Sequence, residues 1–160
     1  MYTVGVLTSS DAGARGDRED TSGALIRQTL NGPDYYHREY SIVPDDQPTI
    51  ETTLRTWADA SRVDLIVTTG GTGLTDRDVI PEATIAVIDR AAPGISEAIR
   101  AYGLTKTPMA MLSRGLAGIR GRTLIVNLPG SPKGVQEGLD VLVPILPHAL
   151  GQLSGADRGH

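Results

Sequence analysis

The stretch from Asp64 to Ala83, D-L-I-V-T-T-G-G-T-G-L-T-D-R-D-V-I-P-E-A, limits what this chain can fold into more than any other. Leu65, Ile66 and Val67 form a short apolar run followed by two threonines, the pattern of a strand buried on both faces of a parallel sheet. Regularity then stops at Gly70, Gly71 and Gly73, which lack Cβ atoms, so the turn can take positive φ and let another molecule approach the backbone. The triplet Asp76-Arg77-Asp78 follows, and Pro81-Glu82 suits the opening of a helix. Strand, glycine turn, charged loop and helix start, in that order, describe the place where open α/β sheets bind ligands.

Two common phosphate motifs do not fit this turn. A Walker loop requires lysine and a hydroxyl residue after its last glycine, whereas Gly73 is followed by Leu74 and Thr75. The dinucleotide fingerprint requires glycine where Asp76 stands. What remains is a less common glycine turn whose amides can form an anion-binding nest.

Other strands and helices alternate along the chain. Strands are expected at Tyr2 to Thr8, His37 to Val43 and Thr123 to Leu128, each with alternating or continuous apolar residues. A glycine- and charge-rich loop is expected from Asp11 to Asp20. Helices are expected from Thr21 or Ser22 to Gly32-Pro33, from Thr49 to about Ala60, from Pro81 to about Arg90 with Pro93-Gly94 ending it, and from Ile95 to Tyr102. Ile50, Leu54, Trp57 and Ala58 share one face of the second of these, which makes Trp57 a core residue. The segment Thr107 to Gly121 has no readable period. Ser131 is placed to cap a helix beginning at Pro132, and Pro144 and Pro147 should bend that helix or start another. This alternation gives the fold class: α/β, a three-layer, doubly wound, mostly parallel sheet with helices on both faces. The domain runs over 1–153, with a polar tail at 154–160.

Composition removes several functions. The absence of cysteine excludes thiol catalysis, disulfides and cysteine-ligated zinc. A net charge of −4 argues against general nucleic-acid binding, which needs a basic face. No apolar run reaches membrane-span length and the start carries no basic leader, so a soluble, cytoplasmic protein without a membrane partner is expected.

The carboxyl ends of parallel strands lie along one edge, which brings Ser10-Asp11, Asp45-Asp46, the loop Gly70 to Asp78 and the turn Gly130 to Lys133 together. Glycine turns and helix N-termini supply donors for phosphate oxygens. Carboxylates beside phosphates require a cation between them, and Mg2+ fits because it binds through one or two carboxylates plus substrate phosphates. His37, His148 and His160 stand at no expected strand end, so covalent catalysis is unfavourable. The reaction class is magnesium-assisted transfer of a phosphorus group. Each acid has a structural alternative: Asp45 folding onto its own loop, and Asp78 bracing the turn before Pro81.

Six blocks carry a resemblance: T-T-G-G-T-G at 68–73, R-D-V-I-P-E-A-T at 77–84, P-D-D at 44–46, A-M-L-S-R at 110–114, A-G-I-R-G at 117–121 and N-L-P-G-S-P at 127–132. In this order they resemble the molybdopterin adenylyltransferases of molybdenum cofactor biosynthesis, a family that includes the amino-terminal domain of gephyrin. The resemblance implies Mg2+-dependent transfer of AMP from ATP to the terminal phosphate of molybdopterin, giving adenylyl-molybdopterin and pyrophosphate. It implies Asp45 and Asp78 as the catalytic pair and the Mg2+ ligands. It implies nucleotide and molybdopterin binding by Gly70, Gly71, Thr72, Gly73, Ser113, Arg114, Gly130, Ser131, Pro132 and Lys133; Ser10 and Asp11 at the end of the first strand, and Pro129 before the last turn, complete the candidate binding set. A homotrimer and contact with a downstream metal-insertion enzyme are implied too. The alternative function is a non-catalytic molybdopterin-binding module of the same fold.

One position departs from the family pattern, which has threonine where this chain has Ile80. Threonine there would cap the helix from Pro81, and losing such a cap typically costs ~0.5–2 kcal/mol. Asp78 is the candidate to replace it. On that account Ile80→Thr raises the melting temperature and leaves turnover intact.

Overall fold

The computed structural model describes residues 1–156. In chain order the elements are β1 (Tyr2–Ser9), α1 (Asp11–Ala14), α2 (Thr21–Thr29), β2 (Tyr35–Val43), α3 (Gln47–Asp59), β3 (Leu65–Thr69) and α4 (Ile80–Val87). There follow β4 (Arg90–Ala91), α5 (Pro93–Leu104), a 3-10 turn (Pro108–Leu112), β5 (Ala117–Arg120) and β6 (Thr123–Leu128). The chain closes with α6 (Pro132–Leu142), a second 3-10 turn (Val143–Ile145) and α7 (Leu146–Ser154).

The strands form one sheet in the order β2-β1-β3-β6-β5-β4. β2, β1, β3 and β6 are mutually parallel, β5 runs antiparallel to β6, and β4 pairs antiparallel with β5. The chain leaves β1 in one direction to make β2 and then returns past it to make β3. That reversal puts a topological switch point between the carboxyl ends of β1 and β3, where α/β sheets open a crevice.

Alternation along the central strands divides the core into two layers. Leu65, Val67, Leu124 and Val126 pack on one side with Ile26 of α2, Leu30 just past its end, Leu139 of α6 and Leu150 of α7. Ile66, Ile125 and Leu7 pack on the other with Ile50 and Leu54 of α3 and Ala83 of α4. The expected three-layer, mostly parallel α/β architecture is therefore the one observed. Each fully buried Leu, Ile or Val adds about 1.5–3 kcal/mol relative to exposure, and the central strands are such residues almost throughout. Trp57 lies in the second layer, only 6% exposed. A Cβ on Gly5 would stand 2.8 Å from its ring, so the missing side chain makes the seat for the indole.

Several boundaries differ from the sequence reading. α2 is capped by Asp20, whose carboxylate accepts from the Gly23 amide at 2.9 Å, and not by Thr21 or Ser22. The loop after β1 contains α1, which Ser10 caps by accepting from the Gly13 amide at 3.0 Å. α3 begins at Gln47 behind its cap Asp46, two residues before the expected start. α4 ends at Val87, and Arg90 becomes part of an edge strand. Pro93 and Gly94 open α5 instead of closing α4, as proline at the first helical position allows. Pro144 falls in the 3-10 turn that ends α6, and Pro147 sits in the first turn of α7. Ser154 belongs to α7, and residues 157–160 of the expected tail lie outside the described residues.

Candidate active site

A cleft of about 500 Å³ opens at the switch point. Thr8, Ser9 and Ser10 enter it from the end of β1, Asp45 from beyond β2, and Thr69, Gly70, Gly71 and Asp78 from β3 and the loop after it. Gly130, Ser131 and Pro132 contribute the start of α6, and residues 18–22 the start of α2. Loops remote in sequence thus share one cavity, and Asp45 and Asp78 both line it.

Asp45 is held from two directions. Its Oδ1 accepts from the Ser9 hydroxyl at 2.6 Å and its Oδ2 from the Asp11 amide at 3.1 Å. The exchange is reciprocal, because the Asp45 amide donates to Asp11 Oδ1 at 2.9 Å. Asp11 lines neither this cleft nor the second one described below. Its carboxylate is engaged by Arg77, which donates from Nε at 3.0 Å and from Nη2 at 2.8 Å and 3.0 Å. The Asp45 amide first, and the Arg77 guanidinium second, hold the Asp11 carboxyl below the usual range.

Asp78 braces its own loop, accepting at Oδ2 from the Thr75 amide at 2.9 Å and from the Thr75 hydroxyl at 2.8 Å. It does not cap α4, which has no side-chain cap; Val79 occupies the cap position and Ile80 is the first helical residue. Ile80 is fully buried, and its amide donates to the Gly71 carbonyl at 3.2 Å. A capping threonine at 80 would stand one residue too late, so the capping account of Ile80 does not hold.

Arg114 fixes the other flank of that loop. Its guanidinium donates to the Gly73 carbonyl at 2.8 Å, the Asp78 carbonyl at 2.7 Å and the Glu82 carboxylate at 2.7 Å. It lines neither cleft. The same arginine holds the Glu82 carboxyl below its ordinary range, chiefly through the hydrogen bond.

The glycines make the cleft by what they leave out. Gly70 has φ of +88° and Gly71 of +68°, both in the region that favours glycine. A Cβ on Gly70 would lie 2.4 Å from the Ser9 carbonyl oxygen. Opposite, Ser131 caps α6 by accepting from the Gly134 amide at 3.1 Å. The turn before it is tied down twice: Ser22 donates to the Gly130 carbonyl at 2.7 Å and Thr69 to the Pro129 carbonyl at 2.6 Å. The start of an 11-residue helix accordingly borders the same cavity as two carboxylates.

A second cleft, of about 310 Å³, meets the first at Ser131. Thr72, Gly73, Ser113, Pro129 and Lys133 line it, together with apolar Ile99, Met109 and Leu112. The expected binding residues therefore divide: Ser10, Gly70, Gly71, Gly130 and Pro132 face the polar cleft, Thr72, Gly73, Ser113, Pro129 and Lys133 the apolar one, and Ser131 both.

Sequence reasoning missed Asp20. Besides capping α2 it accepts from Thr8 Oγ1 at 2.7 Å and from the Tyr40 hydroxyl at 2.5 Å, and it lines the polar cleft. Burial, and then the bond to Asp20, push the Tyr40 phenol up to about 12. Asp20 stands directly before Thr21 and Ser22, the expected cap residues, and takes the cap in their place.

No group of three or more His, Cys, Asp or Glu among the described residues is arranged to hold a metal ion. Asp45 and Asp78, facing one polar cleft, do suit magnesium, which completes its shell with water and substrate phosphates.

Comparison with known proteins identifies the family. Residues 5–148 match the family model described as a probable molybdopterin binding domain. The chain is 42% identical to the molybdopterin adenylyltransferase of Helicobacter pylori strain J99, over 95% of this chain and 88% of that protein. It is 39% identical to the Escherichia coli K12 protein of the same name, over 86% of this chain and 71% of that one. The crystal structure of the molybdopterin biosynthesis enzyme MoaB from Thermus thermophilus superposes with a TM-score of 0.91 at 55% identity, covering 97% of this chain and 98% of that chain. By sequence and by fold, this chain belongs to the molybdenum cofactor biosynthesis family of probable molybdopterin binding domains.

Proposed function

We propose that the protein is a molybdopterin adenylyltransferase, moving AMP from ATP to the terminal phosphate of molybdopterin with release of pyrophosphate. One observation carries the proposal: Asp45 and Asp78 line a single cleft that also receives the N-terminus of α6. The names of relatives about two fifths identical over most of the chain point the same way.

In this mechanism the molybdopterin phosphate attacks the α-phosphorus of ATP and pyrophosphate leaves, so no protein nucleophile is required. The chain's part is to position reactants and stabilise charge. Amides at Gly70, Gly71 and the start of α6 receive phosphate oxygens. Asp45 and Asp78 would hold Mg2+, which supplies charge neutralisation between carboxylates and phosphates. The apolar cleft around Met109 and Leu112, with Lys133 in its lining, suits a flat heterocycle, and Ser131 stands at its seam with the polar cleft. Cytoplasmic action, a homotrimer and hand-over to a metal-insertion enzyme belong to the same proposal and rest on family resemblance.

Incubation with ATP, Mg2+ and molybdopterin tests it. Adenylylated pterin and pyrophosphate in equal amounts are expected. Calorimetric binding of molybdopterin with no pyrophosphate would leave a binding module without transferase activity.

A further inference from the structure

Asp45 and Asp78 stand on different loops, and one charged tie joins those loops. Arg77 precedes Asp78 and forks onto both oxygens of Asp11, while Asp11 exchanges hydrogen bonds with Asp45 in both directions. The path from Asp45 through Asp11 and Arg77 to Asp78 runs outside both cavities, since neither Asp11 nor Arg77 lines a cleft.

An isolated surface ion pair would mean little, with a median near 0–1 kcal/mol. Three features set this one apart. The contact is a planar fork, the most directional form an arginine–carboxylate pair takes. Its acceptor is simultaneously the acceptor for the Asp45 amide, so moving the Arg77 head disturbs the backbone that carries Asp45. The loop it anchors runs from Gly70 to Val79 outside any helix or strand, and on its far side Arg114 clasps the Gly73 and Asp78 carbonyls. Released from Arg77, the exposed segment around Leu74, Thr75 and Asp76 keeps its Thr75–Asp78 bonds and the Arg114 clasp but loses its tie to the loop after β1.

We infer that Arg77 and Asp11 are positioning residues that set the placement of Asp78 relative to Asp45. This rests on the adenylyl-transfer reading of the cleft. A tie of this kind acts on turnover more than on nucleotide affinity, because phosphate amides stay in place while the carboxylate pair loses its spacing. It also makes the pair behave as a unit, so that losing both members costs little more than losing one.

The test uses the full chain with R77A, D11A, the double variant and R77K. Turnover with ATP, Mg2+ and molybdopterin is expected to fall about tenfold to a hundredfold in each single variant, the scale of a misplacement near 1 Å. The KM for ATP is expected to stay within about twofold, and the double variant to match the worse single variant. R77K should recover only part of the loss, since an ammonium cannot fork. Hydrogen exchange supplies an arm independent of activity: peptides covering 9–13, 44–46 and 74–79 should exchange faster in R77A and in D11A, with the peptides of β3 and β6 unchanged. A raised ATP KM in R77A alone, with D11A near wild type, would make Arg77 a phosphate ligand and overturn the inference. Unchanged exchange in those loops would overturn it as well. Absence of product from the wild-type chain would remove the transferase reading, while the exchange arm would still decide whether the tie holds the loops.

Discussion

Ile80 packs against Gly71: a Cβ on that glycine would lie 2.9 Å from Ile80 Cγ1, and Ile80 is fully buried beneath the turn. The isoleucine that departs from the family pattern therefore supports the glycine turn from below. Ile80→Thr removes buried methyl volume and introduces a hydroxyl there, so it is expected to lower stability by roughly 1–3 kcal/mol. A thermal melt reads this as a fall of roughly 2–4 °C per kcal/mol. A higher melting temperature would restore the capping account.

Gly70→Ala is expected to be more damaging than its size implies. The new Cβ meets the Ser9 carbonyl oxygen at 2.4 Å, and φ is +88°. The left-handed conformation alone costs roughly 1–2 kcal/mol for a side-chain-bearing residue, before the clash is relieved. Denaturant unfolding should show the loss, and ATP binding should weaken with it. Full ATP affinity in a destabilised variant would separate the turn from the nucleotide.

Arg114→Lys tests whether that arginine acts by holding the loop. A single ammonium cannot serve the Gly73 carbonyl, the Asp78 carbonyl and Glu82 together. Stability should drop by about 0.5–1.5 kcal/mol, the worth of an ordinary hydrogen bond, while turnover falls further than stability accounts for. Wild-type turnover in this variant would show that the loop is held without it.

Acid should weaken the fold through four carboxylates. Asp11, Asp46, Asp59 and Glu82 all have depressed values, caused first by the Asp45 amide, the Thr49 hydroxyl, Arg120 and Arg114 respectively. A group whose folded value is lowered stabilises above its unfolded value, about 3.9 for Asp and 4.3 for Glu, and that contribution disappears as pH falls through the folded value. The urea midpoint should hold from neutrality to about pH 5 and then decline. Glu82→Gln should make the decline shallower. A midpoint that rose on acidification would contradict the sign.

Much of the fold was legible because burial writes itself into short apolar runs. Leu65-Ile66-Val67 and Leu124-Ile125-Val126 are central strands, packed by helices on both faces and so apolar at every position. Ser131-Pro132 marked the start of α6 because cap and first-turn residues act locally. The short strands β4 and β5, two and four residues long, were not legible, since alternation needs more positions to show. Neither was α1, four residues long with no buried member.

The site was legible in its backbone and less so in its side chains. Switch-point geometry gathers loops by topology alone, which is why Asp45, Asp78, Gly70 and Gly130 share a cleft. Where a side chain points depends on partners far off in sequence. Asp11 answers to Arg77 across 66 positions and Arg114 to Glu82 across 32, and no local pattern encodes either. The division into two clefts has the same origin: residues of the Pro129–Lys133 turn part to opposite sides of Ser131.

The most direct measurement is product formation by Asp78→Asn, assayed with ATP binding on the same preparation. The carboxylate accepts from Thr75, and the isosteric amide keeps an acceptor for that bond while removing the charge. Binding of ATP within about threefold of wild type, with adenylylated product reduced at least about a hundredfold, is the expected result for a group acting through transition-state charge. Product at the wild-type rate would take Asp78 out of the chemistry and contradict the pairing of Asp45 with Asp78.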